Sequence, residues 1–115
     1  IGAWKVISTG SAMPSGEVLV PYAFEQSFTW QSKSVRIPLS GNINNMTPVG
    51  GSLAVGERLS MRIYNTETGS RSIFNWNGVL FGTIPLVTAI AAGKTALIQM
   101  YWDGSNHIVT SVNTY

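Results

Sequence analysis

Apolar residues recur at every second position through most of this chain, and that period commits the segments carrying it to β-strands. Leu59, Met61 and Ile63 would point to one face while Arg58, Ser60, Arg62 and Tyr64 point to the other. Thr95 to Trp102 and His107 to Asn113 are two further β-rich runs, joined by Asp103-Gly104-Ser105-Asn106 as a hairpin. Val18, Val20, Tyr22 and Phe24 alternate with Leu19, Pro21 and Ala23, and Phe28 and Trp30 share a parity. After Gln31 to Ser34 the apolar parity moves to Val35, Ile37 and Leu39, which implies a bulge or a break because successive side chains swap faces. Gly41 to Ser52, rich in Asn and Gly and containing Pro48, reads as a long loop. Thr66-Glu67-Thr68-Gly69 and Asn77-Gly78 are turn signals on either side of a strand that places Ser72, Phe74 and Trp76 on one face. Leu86 to Ala92 is too short to stand as a helix after Pro85 and before Gly93, and reads as a strand followed by a turn. The expectation is an all-β, antiparallel, jelly-roll-like β-sandwich of about eight short strands, a single domain over residues 1–115.

Composition narrows what such a sandwich can do. Seven Lys and Arg residues and five Asp and Glu residues make only 10% of the chain charged, against about 25% in an ordinary soluble domain. Ser, Thr, Asn and Gly supply the polarity instead, while 44% of the residues are hydrophobic. A chain so poor in charge has apolar surface to hide, which points to self-association or to adhesion to a neutral polar ligand. The net charge of +2 is small and the basic residues (Lys5, Lys33, Arg36, Arg58, Arg62, Arg71, Lys94) are scattered, so no nucleic-acid footprint is expected. Without cysteine the chain has no disulfides, no thiol catalysis and no Cys-ligated metal. Ile84 to Ile98, the most apolar stretch, is interrupted by Pro85, Gly93 and Lys94 and falls short of a spanning helix, so no membrane insertion is expected. Ile1 to Thr9 lacks the organisation of a signal peptide, and a chain beginning at Ile1 suggests a domain cut from a longer one.

Chemistry-bearing residues are few. Of the five acids, Glu17, Glu67 and Asp103 sit in or beside turns, where carboxylates usually serve local hydrogen bonds, and no catalytic pair is expected. His107, the only histidine, follows a turn directly and reads as an exposed hairpin-end residue. With one histidine, no cysteine and no Asp-rich loop, neither a metal site nor a cofactor is expected, and neither a nucleophile elbow nor a phosphate-binding loop is present. The aromatics are more suggestive: Trp4, Trp30, Trp76 and Trp102 with Tyr22, Tyr64, Tyr101 and Tyr115. Most would be core, but Trp76, flanked by the amides of Asn75 and Asn77, is the candidate for an exposed platform on which a sugar ring could stack. Arg62 and Tyr64 share a strand face with Arg58 and could meet an acidic polysaccharide or pair with carboxylates of a neighbouring strand or subunit. Trp102 shares parity with Ala96, Ile98 and Met100, which leaves Leu97, Gln99 and Tyr101 for an outer face or a subunit interface.

The stretch Gly56-Glu-Arg-Leu-Ser-Met-Arg-Ile63, then Phe81-Gly-Thr-Ile-Pro-Leu-Val87, Ala92-Gly-Lys-Thr95 and the closing Tyr101-Trp-Asp-Gly hairpin resembles the C-terminal β-domains of bacteriophage tail fibres and tailspikes. The similarity covers Val55 to Tyr115, about half the chain. It implies a homotrimeric β-sandwich at the tip of a viral adhesin, non-catalytic, located on the virion tail, where it stabilises the trimer and binds host-surface polysaccharide or lipopolysaccharide. No catalytic residue is carried across by the resemblance. A monomeric carbohydrate-binding module or lectin appended to a secreted enzyme is the alternative expectation.

Overall fold

A computed structural model describes residues 16–115; Trp4 and Lys5 lie outside the described residues. The fold is an all-β sandwich. Its strands are β1 Glu17–Leu19, β2 Glu25–Thr29, β3 Ser34–Leu39, β4 Ile43–Val49, β5 Arg58–Asn65, β6 Arg71–Trp76, β7 Val79–Leu80, β8 Ala89–Ile90, β9 Thr95–Trp102 and β10 His107–Thr114. The larger sheet runs β1-β3-β5-β9-β10-β7 and the smaller β2-β4-β6-β8.

Both sheets are mixed rather than antiparallel throughout, a departure from the jelly-roll-like arrangement expected. From β1 to β6 the chain changes sheet at every step. Each crossing reverses its direction and two crossings restore it, so β1, β3 and β5 stack in parallel, as do β2, β4 and β6. The parity change after Trp30 is one of these crossings: Trp30 and Val35 are both buried, one following β2 of the small sheet and one in β3 of the large. Antiparallel pairing enters with β9, which closes against β5, with β10, which folds back on β9, and with β8 against β6.

The core forms where the alternation pointed. Leu59, Met61 and Ile63 on β5 and Ala96, Ile98 and Met100 on β9 are buried, as are Val35, Ile37 and Leu39 on β3. Ile43, Met46, Ile73 and Ile90 meet them from the small sheet. The expected loop over Gly41 to Ser52 contains β4, so that reading is corrected. Ile43 and Met46 point inward three positions apart, because Asn44 and Asn45 both turn out, and this breaks the period of two. Pro48 is tolerated because β6 pairs with β4 only as far as Met46, leaving no neighbour on that side to miss its N–H.

His107 is also corrected: it is buried rather than exposed. Its Nε2 accepts a hydrogen bond from the Trp30 indole N–H at 2.8 Å, which puts the ring proton on Nδ1, 3.1 Å from the Gly78 carbonyl. The Trp30 and Trp102 rings flank the imidazole at 5.9 and 4.9 Å between centroids. Burial pushes its pKa below the ordinary 6.5, against smaller opposing pulls from the Gly78 carbonyl and the Asp103 carboxylate. The neutral ring thus ties the end of the small sheet to the last hairpin of the large one. Trp102, the expected core residue of the Tyr101–Trp102 pair, packs against the core over the backbone of Gly50, where an added Cβ would lie 2.5 Å from the indole.

Candidate functional site

The five residues expected to form a sugar-binding group divide between opposite faces of the sandwich. Arg62 and Tyr64 stand on the outer face of the large sheet, with the guanidinium 5.4 Å from the Tyr64 ring centroid. The Glu17 carboxylate accepts two bonds from Arg62, at 2.9 and 2.6 Å, so this arginine already has its anion. Those bonds hold the Glu17 carboxyl below the usual carboxylate range. Leu97, Gln99 and Tyr101 lie on this same outer face, half-buried, on a strand between β5 and β10.

Asn75 and Asn77 belong to the small sheet, and Trp76 does not join them as a platform. Its indole N–H donates to the Val87 carbonyl at 2.7 Å, and its ring meets Phe81 edge-on at 5.1 Å. The indole is half-buried against the core, so its expected exposure is corrected. Strict alternation would put Phe74 on the same side as Trp76, but Phe74 and Asn75 both escape the core and Phe74 is 56% exposed.

The same local departure occurs on three neighbouring strands. Phe24 and Glu25 both face solvent before Gln26 turns in, and Asn44 and Asn45 do so before Met46. Pairing aligns Glu25 with Asn45 and Asn45 with Asn75. The Asn44 backbone N–H donates to the Phe24 carbonyl at 2.8 Å, and Phe24 and Phe74 each immediately precede a residue of the aligned Glu25–Asn45–Asn75 row, so the two phenylalanines stand at the same end of it. Phe24 is 53% exposed. The next outward residues are Ser27, Thr47 and the Asn77 that follows β6.

Hydrogen bonds fix this face in one arrangement. The Asn44 and Asn45 amides donate to the two Glu25 carboxylate oxygens at 2.6 and 2.7 Å. Asn75 donates to the Asn44 carbonyl at 3.0 Å, and Asn77 to Asn45 Oδ1 at 3.3 Å and Thr47 Oγ1 at 3.0 Å. The two amides on Glu25, Asn45 before Asn44, hold its carboxyl below the usual range, so it is an anion at neutral pH. Asn44, Asn75 and Asn77 each commit a side-chain N–H within the sheet, so the surface is a set of pre-positioned amides beside two exposed phenylalanines.

Sequence reasoning reached Asn75 and Asn77 and missed Phe24, Glu25, Asn44, Asn45, Thr47 and Phe74. The aromatic-then-polar pairs Phe24-Glu25 and Phe74-Asn75 were a visible signal, but nothing local says that two consecutive side chains leave the same face.

The remaining acids are each engaged locally. Glu57 pairs with Lys33 at 3.2 Å and Glu67 with Arg71 at 3.0 Å. Asp103 accepts the backbone N–H groups of Asn106 and Ser105, which lower its pKa and close the β9–β10 turn. Among the described residues no group of three His, Cys, Asp or Glu side chains is placed to hold a metal ion, and no helix is long and apolar enough to cross a membrane.

No protein-family model matches the chain, and no curated protein matches it.

Proposed function

We propose that this chain is a non-catalytic distal domain of a bacteriophage tail fibre or tailspike. In this reading it assembles as a homotrimer on the virion tail and binds carbohydrate on the host surface. The observation that carries the adhesive part is the outer face of the small sheet. There Phe24 and Phe74 flank an interlocked row of amides, with Glu25 as the one charged group. Neutral glycans ask for that combination: their hydroxyls need acceptors and donors held in place, and their C–H faces suit the negative face of an aromatic ring.

Self-association is assigned to the large sheet, where Leu97, Gln99 and Tyr101 stand half-buried on a strand between β5 and β10. Leu19, in the same row as Leu97, is 48% exposed, and of the two arginines between them Arg62 is ion-paired with Glu17 at 2.6 Å while Arg36 lies 3.9 Å from the same carboxylate. Apolar side chains at an outer sheet face, beside a paired charge, suit a subunit interface. Light scattering on the purified domain tests the assembly: a trimer mass at micromolar concentration is expected, and a monomer would overturn it. Binding to immobilised host polysaccharide or lipopolysaccharide tests adhesion, and its absence on every surface tried would overturn that part.

A further inference from the structure

Among the exposed features, Phe24 and Phe74 beside the Glu25–Asn45–Asn75 row have the most definite geometry. Phe74 lies on β6 and Phe24 immediately before β2, with β4 between those two strands. Neighbouring strands lie about 4.8 Å apart, so the two backbone positions are spaced roughly 10 Å across the strands. Over that span, alternate rings of an extended sugar chain can each find a phenyl face, with the ring between them over β4.

We infer that the small sheet is a binding site for an extended, neutral oligosaccharide of at least three sugars lying across the strands, with Phe24 and Phe74 as its two stacking platforms and the Glu25, Asn44, Asn45, Asn75 and Asn77 network as its polar rail. This rests on the adhesive reading above and gives it a site, an orientation and a ligand charge.

Three further observations support the assignment. First, Phe24 and Phe74 are both among the exposed large apolar residues, although an exposed phenyl gains nothing from the core. Second, the rail is already ordered by its own hydrogen bonds, so a ligand need not immobilise those side chains. Third, the charge that the rail presents is the Glu25 carboxylate, between the aromatic row and the hydroxyl row. Uronates, sialylated chains and phosphorylated sugars would meet repulsion there, whereas hydroxyl groups would find acceptors. Among the described residues no cation contacts Glu25, in contrast to the Glu17–Arg62 pair on the other face.

The experiment is a titration of the whole chain against fragments of graded length. Neutral probes would be β-1,4-glucan, α-1,4-glucan, chitin and mannan oligosaccharides from disaccharide to hexasaccharide; anionic probes would be hyaluronan and polygalacturonate fragments. At least one neutral series should bind, with affinity rising sharply from disaccharide to trisaccharide or longer. Phe24→Ala and Phe74→Ala should each weaken that binding by about tenfold or more, on the scale of losing one stacked ring. Both residues are exposed, so thermal midpoints should stay near wild type, and Phe74→Tyr should keep the affinity. Three results would overturn the site. A neutral glycan could bind while both alanine variants bind it unchanged, which would leave adhesion standing at another surface. Affinity could be independent of length, or the anionic fragments could be preferred. If the wild-type chain binds none of these probes and no host polysaccharide, the adhesive reading itself falls and the site with it.

Discussion

Acidification should weaken this fold well before its carboxylates titrate, because His107 is buried as a neutral acceptor. Protonation would put a second N–H on Nε2, facing the Trp30 indole N–H 2.8 Å away, and would charge a ring enclosed by two tryptophans. The folded-state pKa is lowered below 6.5, so between that value and the folded pKa the unfolded chain takes up a proton that the native state refuses. Stability is then complete above the ordinary pKa. It falls as pH drops through 6.5, with a limiting slope of about 1.4 kcal/mol per pH unit, and levels off below the folded pKa. A loss of that size is a sizeable part of the roughly 5–15 kcal/mol that holds a domain together. The groups with lowered carboxyl pKa values, Glu17, Glu25 and Asp103, contribute their own loss only below about 4.5, so the window from pH 7.5 to 5 isolates the histidine. Urea unfolding followed by tryptophan fluorescence at half-unit pH steps measures the slope. His107→Gln retains an uncharged side chain able to accept from Trp30, so it should be less stable at pH 7.5 yet nearly flat across the window. A flat wild-type profile, or an equal slope in His107→Gln, would refute the buried-acceptor argument.

Two substitutions test the packing around the same region. Gly50→Ala would place a methyl carbon 2.5 Å from the Trp102 ring; a loss of about 1–3 kcal/mol is expected with a change in near-UV circular dichroism, and an unchanged spectrum would show that the ring is elsewhere. Trp76→Ala should destabilise by about 3 kcal/mol through lost contact with Phe81 and the orphaned Val87 carbonyl, while the molecules that remain folded keep any glycan affinity. Selective loss of binding at full stability would instead restore Trp76 as a platform.

What the sequence displayed plainly were the strands whose inner faces obey a strict period of two. On β5 and β9 the apolar residues Leu59, Met61, Ile63 and Ala96, Ile98, Met100 alternate and are buried, and the Asp103–Asn106 turn between β9 and β10 carries its own hydrogen-bonding acid. The sheet a strand joins is not encoded in that period, which is why the parallel stacking of β1, β3, β5 and of β2, β4, β6 could not be read from alternation. The burial of His107 was half visible, since it shares inward parity with Val109 on β10. Its partner Trp30 stands 77 positions away, and only the tertiary fold brings them together. The candidate surface was legible in Asn75 and Asn77 and hidden elsewhere, because β2, β4 and β6 each depart from the period around Phe24-Glu25, Asn44-Asn45 and Phe74-Asn75.

That shared departure is the reason to assign function to this row rather than to the paired charges of the large sheet. Two consecutive outward residues on each of three neighbouring chain segments could be polar at the least cost in exposed apolar area. Asn44 and Asn45 are so. Phenylalanine at positions 24 and 74 does not follow from that economy, because both rings are more than half exposed and neither contributes to the buried core. Local rules broken without a gain in packing are where binding surfaces are to be sought. Here the broken rule also fixes the geometry: two phenylalanines on chain segments two places apart, with ordered amides between and beside them. A ligand matched to that spacing must be extended, must cross the strands, and must offer hydroxyl groups rather than negative charge.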